Sequence, residues 1–173
     1  SKMLDEALLS INQVTTREQW SLREAVEGYV RQGVHGIAVW RNKMHEGGGV
    51  GEAARLLEDN AMQVSGFCIG GLLSTSDAAE FQQRLDDNRR VIEEAAAIKA
   101  RAVVFVAGGL PEGSADLDRA YGQVLKGLSI LLPEAKAANV TLALEPLHPM
   151  IAATRSVLTT MKQANDWCDQ LGD

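Results

Sequence analysis

A chain of 173 residues with 46% hydrophobic and 23% charged residues has the composition of an ordinary globular protein, which excludes fibrous and disordered classes and fits one domain by length. Its net charge of -6 provides no broad basic field for a phosphate backbone, which argues against nucleic acid as a partner. No stretch approaches the ~18 apolar residues of a membrane helix, the first residues lack the pattern of a signal peptide, and Cys68 and Cys168, far apart and without metal-ligand spacing, suggest a reduced cytoplasmic protein.

In chain order, the first β-type run is LLSINQV, Leu8 to Val14. SLREAVEGYVRQG follows as a helix, with Ser21 and Glu24 at capping-box spacing and a stop at Gly33. His35 falls in the turn before the second strand, GIAVW, Gly36 to Trp40. The run GGGVG, Gly47 to Gly51, is no nucleotide loop, since no strand directly precedes it and it lacks both a Walker Lys-Ser/Thr pair and a full GxGxxG. The third strand is QVSGFCIGG, Gln63 to Gly71, and the helix after it opens at Asp77 with an apolar stripe through Phe81, Leu85, Ile92, Ala96 and Ala100. Within that helix RLDDNRR reads as a solvated face.

The fourth strand is AVVFVAGG, Ala102 to Gly109, followed by a helical stretch from Asp116 to Asn139. Pro133 interrupts that stretch, and because proline lacks a donor N–H and clashes with the preceding turn, a kink or break is expected there. The fifth strand is TLALEPL, Thr141 to Leu147, and the last helix carries Val157, Met161, Ala164, Trp167 and Leu171 on one face. Strands alternating with helices indicate a parallel sheet with crossover helices. Strand starts recur about every 33 residues, near the unit length of a (β/α)8 barrel. Two architectures fit: the first five βα units of a (β/α)8 TIM barrel, or a five-stranded open sheet of the flavodoxin-like kind.

In both, ligands bind at the carboxyl ends of the strands. Those ends carry Asn12 and Gln13; Trp40, Arg41 and His45; Cys68, Gly70 and Gly71; Gly108 and Gly109; and Glu145 and His148. Glu145 shares the parity of Thr141 and Ala143, whereas the bulkier Leu142 and Leu144 suit a helix layer, so Glu145 is expected to face a barrel mouth. A carboxylate there is costly unless paired or metal-bound; a structural Glu bonded to an Arg or a backbone N–H is the alternative. Pro149 restrains His148 toward extended backbone, which suits either a substrate contact or a plain surface loop. Trp40 can stack on a sugar ring or close a half-buried wall. Cys68 has no adjacent His or Lys to make it a nucleophile.

Taken in order, LSINQVT...QWSL, GIAVWRNKM, VSGFCIGG, LDDNRRVIEEAAAIKA, VVFVAGGLPEGSADL and above all LALEPLHPM resemble the xylose isomerase-like TIM barrels. That family holds sugar phosphate isomerases and epimerases, with inosose dehydratase, hydroxypyruvate isomerase and ketose 3-epimerases among its relatives. The resemblance implies a single domain over 1–173 that forms the N-terminal portion of such a barrel. It also implies a divalent metal (Mn²⁺, Mg²⁺, Co²⁺ or Zn²⁺) held by a Glu, an Asp, a His and a second Glu at the ends of later strands. Glu145 is the counterpart of the first; the others belong to the sixth to eighth strands. Glu145 is then both metal ligand and catalytic acid/base, His148 orients a substrate hydroxyl, and Asn12, Trp40, Cys68 and Gly70 line the substrate. Where close relatives read GLCRGG and EPLHPMY, this chain has Ile69 and Ile151, which remove a cation and a phenol.

The expected activity is isomerisation or epimerisation of a sugar or related polyol-ketone, by proton abstraction next to a carbonyl. The alternatives are a non-catalytic small-molecule binding or interaction module and an inosose-type dehydratase. A phosphodiester nuclease is disfavoured by the acidic chain. The expected partner is a small-molecule sugar, without nucleic acid or membrane, and a homo-oligomer is compatible. On this reading the 173 residues are a shortened or incompletely represented chain that is inactive alone, because two open barrel edges expose unpaired strand groups.

Overall fold

Helix α1, Leu22–Arg31, begins where the capping box places it. Ser21 Oγ accepts the Glu24 N–H at 3.2 Å, and Glu24 Oε2 accepts the Ser21 N–H at 2.8 Å. The backbone donor of Ser21, and then its hydroxyl, hold the Glu24 carboxyl below its usual range. The helix stops at Gly33, φ +74°, where the Gly33 N–H donates to Val30 O and the Val34 N–H to Tyr29 O, pairing two carbonyls that the last turn leaves open. This is part of a computed structural model of the protein, which describes residues 11–12, 20–75, 77–106 and 117–145, with the backbone alone at 11, 12, 117, 118, 121 and 145.

Five strands lie in one sheet in the order β1-β2-β3-β4-β5: β1 Ile11–Asn12, β2 Gly36–Trp40, β3 Gln63–Gly71, β4 Ala102–Val106 and β5 Thr141–Glu145. β1 pairs parallel with β2, and β2 parallel with β3. Sequential order is that of a barrel wound in one direction, and it excludes the flavodoxin-like sheet, whose order reverses after the second strand. β2 and β3 coincide with the predicted runs, and β4 and β5 start where predicted. Ala107 to Gly109, Pro146, Leu147 and the predicted last helix lie outside the described residues.

The chain divides into two compact units, residues 1–69 with 93–103, and residues 70–92 with 104–173. In the first, Ile37 and Val39 of β2 and Phe67 of β3 are fully buried, while Ala38 and Trp40 are half-buried. A register shift after Ile37 pairs it with Val64 but pairs Ala38 with Gly66. Ser65 is the extra residue, and its Oγ donates to Ile37 O. Such a bulge inverts which side chains share a face. Phe67 therefore lies beside Val39 in the buried layer, and Cys68 pairs with Trp40. The segment after β2 is helical: α2, Arg41–Glu46, and α3, Val50–Asp59, are joined through Gly47–Gly49. Gly49 takes φ +90° at the start of α3, a conformation that favours glycine.

Helix α4, Ala78–Ala97, is capped as predicted, with Asp77 Oδ1 accepting the N–H groups of Ala79 and Glu80. Its buried face is broader than the predicted stripe, taking in Val91 and Ala95, and Ala96 is only half-buried. In the second unit α5, Leu117–Ala137, runs through Pro133 without a break. Leu128, Leu131 and Ala135 are buried around the proline, which itself faces outward, so packing of the apolar stripe holds the helix where its backbone bonding is interrupted. Gly127 lets the helix approach Leu73, whose Cδ1 lies 2.4 Å from where a Cβ would stand. On β5, Leu142 and Leu144 are half-buried with Leu128 and Leu132 around a cavity of about 220 Å³, whereas Thr141 and Ala143 are exposed. Position 145 continues the parity of the exposed pair.

Candidate functional site

In the first unit, the carboxyl ends of β2 and β3 frame a cavity of about 420 Å³ lined by Trp40, Arg41, Asn42, His45, Cys68 and Ile69. Trp40 is the last residue of β2, and α2 starts at the next position, so one helical turn presents Arg41, Asn42 and His45 beside the strand end. Glu94 of α4, only 13% exposed, reaches both the Arg41 guanidinium and the His45 imidazole of that turn. Its Oε2 accepts the Arg41 Nε–H at 2.6 Å, and its Oε1 lies 2.9 Å from His45 Nε2. Cys68 is buried and contributes to the wall of the cavity. Ile69 contributes an exposed apolar edge.

In the second unit, the segment after β3 is tied down by side chains from α4 and α5. Asn88 is 4% exposed. Its Oδ1 accepts the Gly71 N–H at 2.6 Å, and its Nδ2 donates to Gly71 O at 2.9 Å and to Arg84 O at 2.8 Å. Arg84 Nη1 donates to both Leu72 O and Ser74 O at 2.6 Å. Glu80 accepts from Arg84 Nη2 and from the Thr75 hydroxyl; the Thr75 bond first and the Arg84 bond second hold its carboxyl below the usual range. Gln123 of α5 accepts the Thr75 N–H at 2.7 Å. Gly71 has φ +100°, and a Cβ there would stand 2.0 Å from Val106 O, so only glycine lets the end of β3 approach the end of β4 this closely.

The residues singled out from the sequence are distributed as follows. Trp40 and Cys68 are register partners and share the cavity. Gly70 is buried one residue before the clamped turn. The Asn12 backbone pairs with Ala38. Glu145 is the final residue of β5; His148, Gly108 and Gly109 lie outside the described residues. RLDDNRR is only partly solvated, because Asn88 and Arg84 from within it clamp the β3 turn. Asn88 was detectable as a polar residue on the stripe between Leu85 and Ile92; nothing in the local pattern marks Glu94. Among the described residues no group of three or more His, Cys, Asp or Glu side chains is placed to hold a metal ion. The described residues therefore do not fit a divalent metal by themselves. No described helix is long and apolar enough to cross a membrane.

Strands consecutive in one sheet, helices connecting them and polar groups gathered at the strand ends define a (β/α)8 barrel protein, of which this chain supplies about the first five βα units. Residues 29–173 match the xylose isomerase-like TIM barrel family, and the chain belongs to it. Protein SMc04130 from Sinorhizobium meliloti 1021 is similar at 44% identity, over 97% of this chain and 61% of its own, with a TM-score of 0.91. The IOLI protein, solved with a binding zinc atom, is 17% identical over 95% of this chain and 59% of its own, TM-score 0.79. D-psicose 3-epimerase from Clostridium cellulolyticum H10, solved with D-tagatose, is 11% identical over 94% of this chain and 59% of its own, TM-score 0.77. At these last two identities the likeness is one of fold. No curated protein sequence matches. The chain spans about six-tenths of the length of these solved structures.

Proposed function

We propose that the protein carrying this chain is an isomerase or epimerase of a sugar or related polyol-ketone, with Glu145 as the acid/base at the carbon next to the carbonyl. The observation that supports it best is the position of Glu145 within a family to which the chain belongs: the last residue of β5, on the parity of exposed Thr141 and Ala143 and opposite the helix-packed leucines. The carboxyl end of a strand is where such barrels carry their chemistry.

The step is a proton transfer. A carboxylate removes the proton from the carbon beside the carbonyl, leaving an enediolate; return of the proton to the neighbouring carbon isomerises the sugar, and return to the opposite face epimerises it. In the proposal Trp40, Cys68, Gly70 and Asn12 line the bound substrate and His148 orients one of its hydroxyls. Glu145 is also proposed as one ligand of a divalent metal whose remaining ligands the described residues do not supply. A divalent metal, when bound, supplies charge stabilisation to substrate oxygens, and the zinc in the solved IOLI protein supports including it. The proposed partner is a small-molecule sugar, and the setting proposed is the cytoplasm.

The test is incorporation of solvent deuterium into D-fructose, followed by NMR in the whole protein with Mn²⁺ present. Wild type is expected to exchange, and Glu145→Gln to lose about 10²-fold or more, the usual worth of a positioned general base. Exchange that is unaltered by the substitution would overturn the assignment.

A further inference from the structure

Glu94 is the unabsorbed feature of the first unit. It comes from the far end of α4, about fifty residues from α2 in sequence, yet its two oxygens take up Arg41 and His45, one turn apart on α2. Both of those residues line the 420 Å³ cavity. We propose that Glu94 is a positioning residue that sets the His45 imidazole for hydroxyl recognition, and that the cavity takes the uncharged polyhydroxy part of the substrate rather than a phosphate group. The inference rests on the proposed function and narrows its substrate class to an unphosphorylated polyol end.

The electrostatics carry the argument. His45 Nε2 is 2.9 Å from a carboxylate oxygen. Two lone pairs at that separation repel, so Nε2 bears the hydrogen. In a neutral imidazole the other nitrogen is then an acceptor, and Nδ1 can receive a hydroxyl hydrogen. The same carboxylate offsets the Arg41 charge through its 2.6 Å bond, so the wall does not present a pair of uncompensated cations. Phosphate recognition calls for converging donors and positive charge. This wall instead offers an imidazole acceptor, the neutral Asn42 amide, the Trp40 ring and the Ile69 side chain. Hydroxyls suit the first two and the C–H face of a polyol suits the last two. Ile69 adds no cation to the opposite side.

Two measurements on the full chain test this. Long-range ¹H–¹⁵N spectra at pH 8, where an ordinary imidazole is neutral, report the tautomer of His45, assigned through His45→Gln. Wild type is expected to hold the hydrogen on Nε2, and Glu94→Gln to give a mixture of tautomers. Calorimetric titration with D-fructose and with D-fructose 6-phosphate then reads selectivity. The neutral ketose is expected to bind at least as tightly as its phosphate; Glu94→Gln and His45→Gln are each expected to weaken it about fivefold, the worth of one net hydrogen bond. Glu94→Gln should also move selectivity toward the phosphate, and Glu94→Asp should restore part of the loss. Tighter binding of the phosphate by wild type, or a tautomer indifferent to Glu94→Gln, overturns the inference. Deuterium exchange that depends on Glu145 but ignores Glu94 and His45 also sinks it while leaving the proposed function standing. No binding of either sugar by wild type overturns both.

Discussion

Replacing Asn88 with alanine removes the clamp on the turn that ends β3, and the structure sets the size of the effect. The side chain is buried and makes three hydrogen bonds, two of them to the N–H and C=O of Gly71, which is itself buried. Asn88→Ala removes the side-chain partner of both Gly71 groups at a buried position. Each orphaned buried group costs about 1–3 kcal/mol, so the loss should be about 4 kcal/mol, a large part of the ~5–15 kcal/mol that holds a typical domain. Arg90, two residues along the same helix, is the control, because its side chain is 66% exposed and its ion pair to Asp87 spans 4.0 Å. Arg90→Ala should cost at most about 1 kcal/mol. Urea melts followed by circular dichroism give both values from the shift in midpoint at unchanged slope, and amide exchange at Gly71 should accelerate in Asn88→Ala alone. A loss in Asn88→Ala no larger than in Arg90→Ala would refute the claim that the clamp, rather than the apolar face of α4, holds the turn.

The turn makes a second demand at Gly71, where φ is +100° and a Cβ would stand 2.0 Å from Val106 O. Gly71→Ala must break the close approach of β3 to β4, and about 3 kcal/mol or more should be lost in the same urea melts; a stability matching wild type would show that the turn can open without cost. Acid titration tests Glu80. Its folded carboxyl is held below its ordinary range by Thr75 and then Arg84, so it binds protons more weakly folded than unfolded. Its contribution is therefore present above the unfolded carboxyl value of about 4.3 and is lost as pH falls through the lower folded value. The melting-temperature gap between wild type and Glu80→Gln should be open at neutral pH and close on acidification; a gap that does not change with pH would remove Glu80 from the clamp.

Local chemistry made much of this protein legible. The capping box of Ser21 and Glu24, the stop at Gly33 and the cap at Asp77 each act within four residues, so each could be read without knowing the fold. Apolar β-type runs placed β2 and β3, while the recurrence of strands left the barrel and the flavodoxin-like sheet both open until the strand order excluded the second. Pro133 is the instructive failure. A kink or break is expected from its missing N–H; no break occurs, because Leu128, Leu131 and Ala135 are buried on the same helix face and packing outweighs one lost bond. RLDDNRR failed for a different reason: its charges do face water in part, but the amide of Asn88 and the guanidinium of Arg84 find backbone partners more than ten residues away.

What the sequence by itself determined was the succession of strands and helices, the ends of α1 and the start of α4, and the parity that sets Glu145 apart from Leu142 and Leu144. Only the tertiary structure decided which of those elements share a wall. The bulge at Ser65 carries Cys68 to the same face as Trp40, and strict alternation from Val64 would have put it on the other. Glu94 meets Arg41 and His45 across about fifty residues. Caps and periodicity are written in near neighbours, whereas register and long-range ion pairs depend on which backbones come to lie side by side. For that reason the acid at the end of β5 could be named from the sequence, while the carboxylate that orients the cavity beside β2 could not.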